Sequence, residues 1–241
     1  MRGMLLVARR DLGAYFNSYW GFAVIAAVLV IDGLLFNAFA LSDEAKYSSK
    51  VIEDFFYFSF GLTAIASVFL TMRLIAEERQ TGTVVLVDSS PVSPGQFIGG
   101  KFLSALIVMG ALVLATIYMP ALVFVNGKVS YGHLVAGYFG LLLVAAACCG
   151  VGTLASAVSR SQLVSGIISA AVITFFVLAW ALAKVTDPPL KDLISYMSFY
   201  DRHYRPFSRG QINVEDVVFF LSIAFVSLTM ASRYMAARRW R

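Results

Sequence analysis

Six long runs of apolar residues follow one another along the chain, and short polar segments separate them. A helix needs about 20 mostly apolar residues to cross the roughly 30 Å of hydrocarbon in a bilayer. Each run is close to this length and carries few charged residues. The pattern therefore predicts six transmembrane helices, at residues 21–41, 55–72, 102–125, 134–158, 163–183 and 214–232.

The segment before the first run, residues 1–20, has a different helical pattern. Arg9, Arg10 and Asp11 fall on one face of a helix. The other face carries apolar and aromatic residues, namely Met4, Leu5, Ala8, Leu12, Tyr15, Phe16 and Tyr19. We predict an amphipathic helix that lies in the membrane interface. The first run is longer than the core of a usual signal peptide, which favours an uncleaved span.

The composition agrees with a membrane protein. Hydrophobic residues make up 59% of the chain and charged residues 14%, whereas soluble domains carry about 25% charged residues. The predicted fold class is an all-α membrane protein, and residues 1–241 form a single transmembrane domain. The net charge is +5, but the basic residues lie beside apolar runs, so we expect membrane lipids as their partner and no nucleic acid.

The distribution of Lys and Arg predicts the orientation in the inner (plasma) membrane. If the N-terminus is cytoplasmic, eleven of the nineteen basic residues lie on the cytoplasmic side. Because basic residues concentrate in cytoplasmic loops, this bias favours a multi-pass protein with both termini inside.

Residues 73–101, between the second and third runs, form the most informative polar segment. Residues 73–80 continue the second helix with charged side chains, and Thr81-Gly82 is typical of a helix end. Residues 83–88 are apolar enough to pack as a short helix, and Ser90-Pro91 then interrupts the chain. We expect a rigid cytoplasmic protrusion made of two helical pieces.

The outer segment, residues 184–213, is predicted to contain a short interfacial helix, because apolar residues recur at helical spacing from Leu190 to Met197. The histidines, His133 and His203, lie in predicted outer loops and are expected to be interfacial. The aromatic residues of the segment are expected to form a belt around the short helix: Tyr196, Phe199, Tyr200, Tyr204 and Phe207.

Asp32 and Asn37 are polar residues within the first span. An ionisable group at membrane depth is costly to bury and is a candidate for a proton or cation relay. No second acid or histidine follows inside the predicted transmembrane core, so a structural role against a neighbouring helix is the alternative.

Other motifs exclude several classes of function. Residues 95–101 match the spacing of a phosphate-binding loop, but Phe102 replaces the hydroxyl residue and no strand precedes it. The small residues 145–152, with Ser156, are expected to serve helix packing or a dimer seam. No metal-ligand or catalytic pattern is present in the sequence, so we predict no metal, no cofactor and no enzymatic activity.

Short motifs along most of the chain resemble those of ATP-binding-cassette type-2 permeases, particularly the gliding-motility GldF-like branch. The polar segment contains them in order: Thr71-Met72-Arg73, Glu77-Glu78, Gly82-Thr83, Ser90-Pro91-Val92 and Gly100-Lys101. Tyr15-Phe16-Asn17-Ser18 and Phe207-Ser208-Arg209-Gly210, with Asp216 and residues 219–222, are similar to the same branch.

The resemblance implies a permease subunit whose partners are cytosolic ABC ATPase subunits and a second permease half, in a homodimer or with a related permease. In such families the loop between spans two and three contains the coupling helix that seats on the ATPase. The resemblance carries this role to residues 77–91. The expected coupling residues are Arg73, Glu77, Glu78, Arg79, Thr81, Gly82, Thr83, Ser90 and Pro91.

The sequence thus leaves three hypotheses for function. The first is the transmembrane subunit of an ATP-driven exporter or mechanotransmission complex, in gliding motility or secretion, with ATP hydrolysis in a partner chain and a further periplasmic partner. The second is an ion-coupled secondary transporter that uses Asp32. The third is a membrane scaffold protein.

Overall fold

The computed structural model describes residues 2–40, 47–83, 92–126 and 130–238. Within these ranges the chain is helical and contains no β-strand. Six of its helices are long and apolar enough to cross a membrane. The predicted all-α fold with six transmembrane helices is confirmed, and the protein is a multi-pass membrane protein.

The helices of the described residues are α1 (Arg2–Phe16), α2 (Tyr19–Leu35), α3 (Ser48–Thr71), α4 (Ala76–Gln80), α5 (Pro94–Ala115), α6 (Tyr118–Asn126), α7 (Tyr131–Val158), α8 (Gln162–Val185), α9 (Leu190–Tyr196), α10 (Arg205–Ser208) and α11 (Val214–Arg238). π-helical turns at Phe36–Ala40 and Phe199–Tyr204 follow α2 and precede α10. The spans are α2, α3, α5 continued by α6, α7, α8 and α11.

Two spans begin about two helical turns earlier than the apolar pattern predicts. Helix α3 begins at Ser48 rather than residue 55, because Lys50 pairs with Glu53 and Asp54 within the helix and the polar turns are thereby stabilised. Helix α5 begins at Pro94 rather than residue 102, since Ser93 and Gln96 form a reciprocal capping box.

The third span is interrupted between α5 and α6. Pro120 has no amide to donate to the carbonyl of Thr116, four residues earlier. The Thr116 amide bonds to the Val113 carbonyl at 3.2 Å, which tightens the last turn of α5. The single predicted span at 102–125 is therefore two helices joined by a break.

Helix α7 lies at the centre of the bundle. In its most apolar stretch 72% of residues are buried, whereas the value is 22% for α2 and for α8. Gly152 of α7 faces α3 so closely that a Cβ there would overlap the Thr71 hydroxyl. The small residues of α7 thus serve packing inside the chain, which is the first of the two roles expected for them.

The segment after α9 does not lie at the surface as an aromatic belt. Phe199, Tyr204 and Phe207 are fully buried, and Phe199 stacks on Phe176 of α8 with ring centroids 4.6 Å apart. The prediction of a belt was wrong for these three residues, because the chain folds back between α3, α7 and α11 and its rings fill the core there. Helix α9 itself has no buried residue, as expected of an interfacial helix.

His203 is likewise buried rather than interfacial. Its Nδ1 lies 2.8 Å from the Asp216 carboxylate, and its Nε2 lies 2.9 Å from the Tyr196 carbonyl. The carbonyl can only accept, so Nε2 carries a proton. The ring also stacks on Phe219 at 3.7 Å between centroids. His203 therefore joins the buried segment after α9 to the first turn of α11.

Asn213 also hydrogen bonds to Asp216, and replacing Asn213 gives a first prediction. The Asn213 amide donates to the second oxygen of Asp216 at 3.0 Å. Asn213→Ala is expected to lower the free energy of unfolding by about 1 kcal/mol, because the buried Asp216 carboxylate loses a donor. Thermal unfolding of the purified protein measures this loss. Gln211→Ala, at an exposed neighbouring position, should leave stability unchanged.

Candidate functional site

Helix α4 is separated from α3 by a turn that a distant side chain creates. The amides of Ile75 and Ala76 donate to Ser156 Oγ of α7, at 2.9 and 3.0 Å. The same oxygen lies 3.4 Å from the Met72 carbonyl, to which it donates. A hydroxyl inserted into the backbone ladder ends the continuous helix. The predicted charged continuation of the second helix is thus a separate helix with its own start.

Arg79 fixes the other side of α4. Its guanidinium donates to the Ser159 carbonyl at 2.8 Å, just past the end of α7. It also lies 3.2 Å from the Met235 sulfur and over the Tyr234 ring, both on α11. Helix α4 is therefore attached to the ends of two spans.

The chain beyond α4 forms an exposed tip, defined here as Thr81, Gly82 and Thr83. The hydroxyls of Thr81 and Thr83 donate to the carbonyls of Glu77 and Glu78 at 3.0 and 3.2 Å. Gly82 has a φ of 74°, the left-handed conformation that favours glycine after a helix. The helix end predicted at Thr81-Gly82 is confirmed.

Four charged residues join α1, α4 and α5, and we call them the Lys101 cluster: Arg10, Asp11, Glu78 and Lys101. Lys101 Nζ lies 2.8 Å from both Asp11 Oδ2 and Glu78 Oε1. Arg10 Nη2 lies 2.6 Å from Glu78 Oε1 and 3.0 Å from Asp11 Oδ1. The charges balance, and the Lys101 side chain is only 5% exposed. The cluster is a compact ion-pair network.

The close approach of α1 to α5 explains the glycines before Lys101. A Cβ at Gly100 would lie 2.7 Å from the Met4 carbonyl oxygen and from Val7 Cβ. The glycine of this motif, which has the spacing of a phosphate-binding loop, thus allows α1 to pack closely against α5. Asp11 was predicted on the polar face of α1, and this was wrong, because α1 turns Ala8 and Asp11 inward while Leu5 stays exposed.

A cleft of about 340 Å³ lies beside the Lys101 cluster, between α1 and the start of α4. Tyr15 lines it and donates to the Leu70 carbonyl at 2.6 Å. Burial raises the pKa of Tyr15, so its phenol stays protonated and keeps this bond. Arg73 and Glu77 form a 2.9 Å salt bridge that lines another side of the cleft. The cleft is therefore lined by paired charges of both signs.

The structure brings together most of the residues singled out in the polar segment. Arg73, Glu77, Glu78 and Arg79 surround the start of α4, and the tip follows, whereas Ser90 and Pro91 lie outside the described residues. Sequence reasoning did not assign Asp11, Lys101 or Ser156 to this site. The one available signal was the position of Lys101 at the start of a long apolar run. A charge there needs a partner of opposite sign, which pointed to an acidic residue nearby.

Asp32 and Asn37 are not brought together. Asp32 is 2% exposed and accepts hydrogen bonds from Ser59 of α3 at 3.0 and 3.2 Å. Asn37 lies in the π-helical turn and is exposed. Among the described residues, no group of three or more His, Cys, Asp or Glu side chains is placed to hold a metal ion.

The comparisons with known proteins assign the family. Residues 12–236 match the family described as ABC-2 family transporter protein, so the match runs from the last part of α1 almost to the end of α11. No curated protein matches the chain significantly. Members of this family are typically membrane permease subunits without catalytic activity. With its six candidate spans, the chain belongs to the ABC-2 transporter family.

Proposed function

We propose that this permease couples ATP hydrolysis by a separate cytosolic ATPase to movement of its spans. It works with a second permease half, in the inner membrane, with α1 and α4 on the cytoplasmic side. The process is export or force transmission, in the manner of the GldF-like branch that the motifs resemble. The observation that carries the proposal is the exposed tip on an α4 helix that is fixed at its base.

The contacts at the base of α4 support a transmitting role. Ser156 joins the start of α4 to α7, and Arg79 joins its middle to the ends of α7 and α11. Glu78 adds α5 and α1 through the Lys101 cluster. A displacement of the tip would therefore act on several spans at once, as required for a switch between two arrangements of a bundle.

An ion-coupled transporter that uses Asp32 is the second candidate. The buried carboxylate near the middle of the bundle favours it, since such groups mark ion pathways in other transporters. The two functions make opposite predictions. ATP-driven coupling requires an intact tip and tolerates Asp32→Asn, whereas ion coupling requires Asp32 and tolerates changes at the tip. A passive scaffold would tolerate both changes.

Placing charge on the tip tests the leading proposal. The double variant Thr81→Glu and Thr83→Glu is expected to reduce the vanadate-sensitive ATPase activity that copurifies with the tagged chain by about tenfold or more. Two uncompensated carboxylates at a contact surface weaken binding of the partner by at least ~1.4 kcal/mol. This free energy corresponds to a tenfold loss of affinity. ATP hydrolysis by the complex from native membranes, per mole of tagged chain, measures the effect.

A matched control lies at the opposite end of the bundle. Thr186 follows α8 as Thr81 follows α4, and its hydroxyl donates to the Leu182 carbonyl at 2.8 Å in the same way. Thr186→Glu should leave the copurified ATPase activity unchanged. Absence of any ATPase from the purified wild-type complex, or full activity in the tip variant, would contradict the proposal.

A further inference from the structure

Asp32 lines a small internal cavity between α2, α3, α5 and α7. The cavity measures about 10 Å³, which is room for about one water-sized particle. Three hydroxyl residues line it together with Asp32, namely Ser59, Thr63 and Thr116. The remaining lining is apolar, so the carboxylate and the hydroxyls are concentrated at one point within the bundle.

The carboxylate of Asp32 has no cationic partner among the residues that the structure describes. Among the described residues, Ser59 is the one side chain that hydrogen bonds to it, and the basic residues of the Lys101 cluster are already paired with Asp11 and Glu78. Burial of an ionised carboxylate without a compensating charge is strongly unfavourable. A water in the cavity would supply protons for hydrogen bonds but would leave the charge uncompensated.

The hydrogen bonds of the hydroxyls leave lone pairs rather than protons around the cavity. Ser59 donates its proton to Asp32, and Thr116 donates to the Val113 carbonyl at 2.7 Å. Tyr138 therefore donates to Thr116, 3.2 Å away. Thr63 makes no hydrogen bond to any described residue, so its proton and its lone pairs are both uncommitted, and its hydroxyl can rotate to point the oxygen at a cation. Acceptor lone pairs therefore outnumber free protons around the cavity, which matches a cation.

We propose that this cavity binds one sodium ion, with the Asp32 carboxylate and the oxygens of Ser59, Thr63 and Thr116 as ligands. A divalent ion is disfavoured because calcium takes six to eight oxygen ligands, usually with several carboxylates. Sodium is smaller than the water-sized particle for which the cavity has room, so it fits with less displacement of the lining than the larger potassium ion. The ion neutralises Asp32 and attaches α2, a sparsely packed span, to α3 and α5. This site is independent of the ATPase coupling proposed above.

Sodium-dependent stability of the purified full chain tests the site. Thermal unfolding in nanodiscs is measured in sodium chloride and in choline chloride at the same ionic strength and pH. At sodium concentrations about a hundredfold above the dissociation constant, the unfolding temperature is expected to rise by roughly 5 °C. Potassium chloride should give a smaller shift. The sodium titration yields the dissociation constant.

Three variants make the test specific. Asp32→Asn should abolish the sodium shift, and Thr63→Val should raise the sodium concentration needed for half of it by about tenfold, the effect of ~1.4 kcal/mol in binding. Thr153→Val is the matched control, because Thr153 is a buried threonine of α7 that donates to the Cys149 carbonyl and does not line the cavity. Its sodium shift should equal that of the wild type.

Equal unfolding temperatures in sodium and choline would overturn the proposal, including the case in which only pH changes the stability and a proton occupies Asp32. A full sodium shift in Asp32→Asn would overturn it as well. If Asp32→Asn does not fold, the comparison of Thr63→Val with Thr153→Val decides, and equal sodium dependence of these two variants counts against the site.

Discussion

Replacing Lys101 with methionine will lower the free energy of unfolding by about 3 kcal/mol, the lower end of the cost of breaking a buried ion pair. Lys101 Nζ lies 2.8 Å from two carboxylates, those of Asp11 and Glu78. Without it, both negative charges remain in a largely buried site. Arg10 still contacts both, which keeps the loss from being larger. Thermal unfolding of the protein in nanodiscs measures the change.

Two further variants identify the cause of that loss. Lys191→Met removes an exposed lysine of α9 and should change stability little, since exposed positions contribute about 0 to 1 kcal/mol. Adding Asp11→Asn and Glu78→Gln to Lys101→Met should restore part of the stability, because the uncompensated charges are then gone. If the triple variant were less stable than Lys101→Met alone, uncompensated charge would not be the reason.

Ser156→Ala is expected to cost about 3 kcal/mol, because it leaves two buried amides without an acceptor and each costs about 1 to 3 kcal/mol. Those amides belong to Ile75 and Ala76, at the turn between α3 and α4. The change removes a single oxygen atom and creates almost no cavity. Loss of the bonds should also free α4 from α7, so hydrogen exchange of the amides of α4 should rise.

Ser159→Ala is the matched control for this variant. Ser159 lies three residues later in the chain, is equally buried, and its hydroxyl donates to the Ala155 carbonyl at 2.7 Å. That carbonyl also accepts the Ser159 amide at 3.0 Å, so removal of the hydroxyl leaves no group unsatisfied. Equal losses of stability in the two variants would refute the special role of Ser156.

These two predictions concern the base of α4, whereas the ATPase experiment concerns its tip. The tip residues are exposed, and within the described part of the chain their hydroxyls bond to the end of α4 and to each other, so changes there should alter partner coupling without altering stability. Changes at Lys101 or Ser156 should alter stability in the purified permease even when no partner is present. The two sets of variants therefore distinguish effects on the folding of the site from effects on its coupling to a partner.

The architecture could be predicted from the sequence because bilayer crossing imposes a local requirement. Each span needs enough consecutive apolar residues to cross the bilayer. The six runs are long enough regardless of which helices they pack against. The end of α4 at Thr81-Gly82 was predictable for a similar reason, since the left-handed conformation of Gly82 depends on the residue itself. Boundaries were less accurate where capping and ion pairs extend a helix past its apolar run, as at Ser48 and Pro94.

The candidate site could be predicted only in part. The charged residues 73–80 were visible as a polar segment, but their partners were not, because those lie far along the chain. Ser156 is 81 residues from Ile75, and Arg10 is 68 residues from Glu78. The periodicity of α1 placed Asp11 on the outer face, since a hydrophobic pattern cannot anticipate a buried lysine as partner.

The same distinction holds for the rest of the chain. Local composition was enough for the number of spans and the position of the polar segment, because hydrocarbon accepts only apolar, internally bonded helices. Burial of Phe199, Tyr204 and Phe207, the pairing of His203 with Asp216, and the cavity at Asp32 depended on which helices become neighbours. Polar groups in a low-dielectric bundle need specific partners, and those partners come together only when the chain has folded.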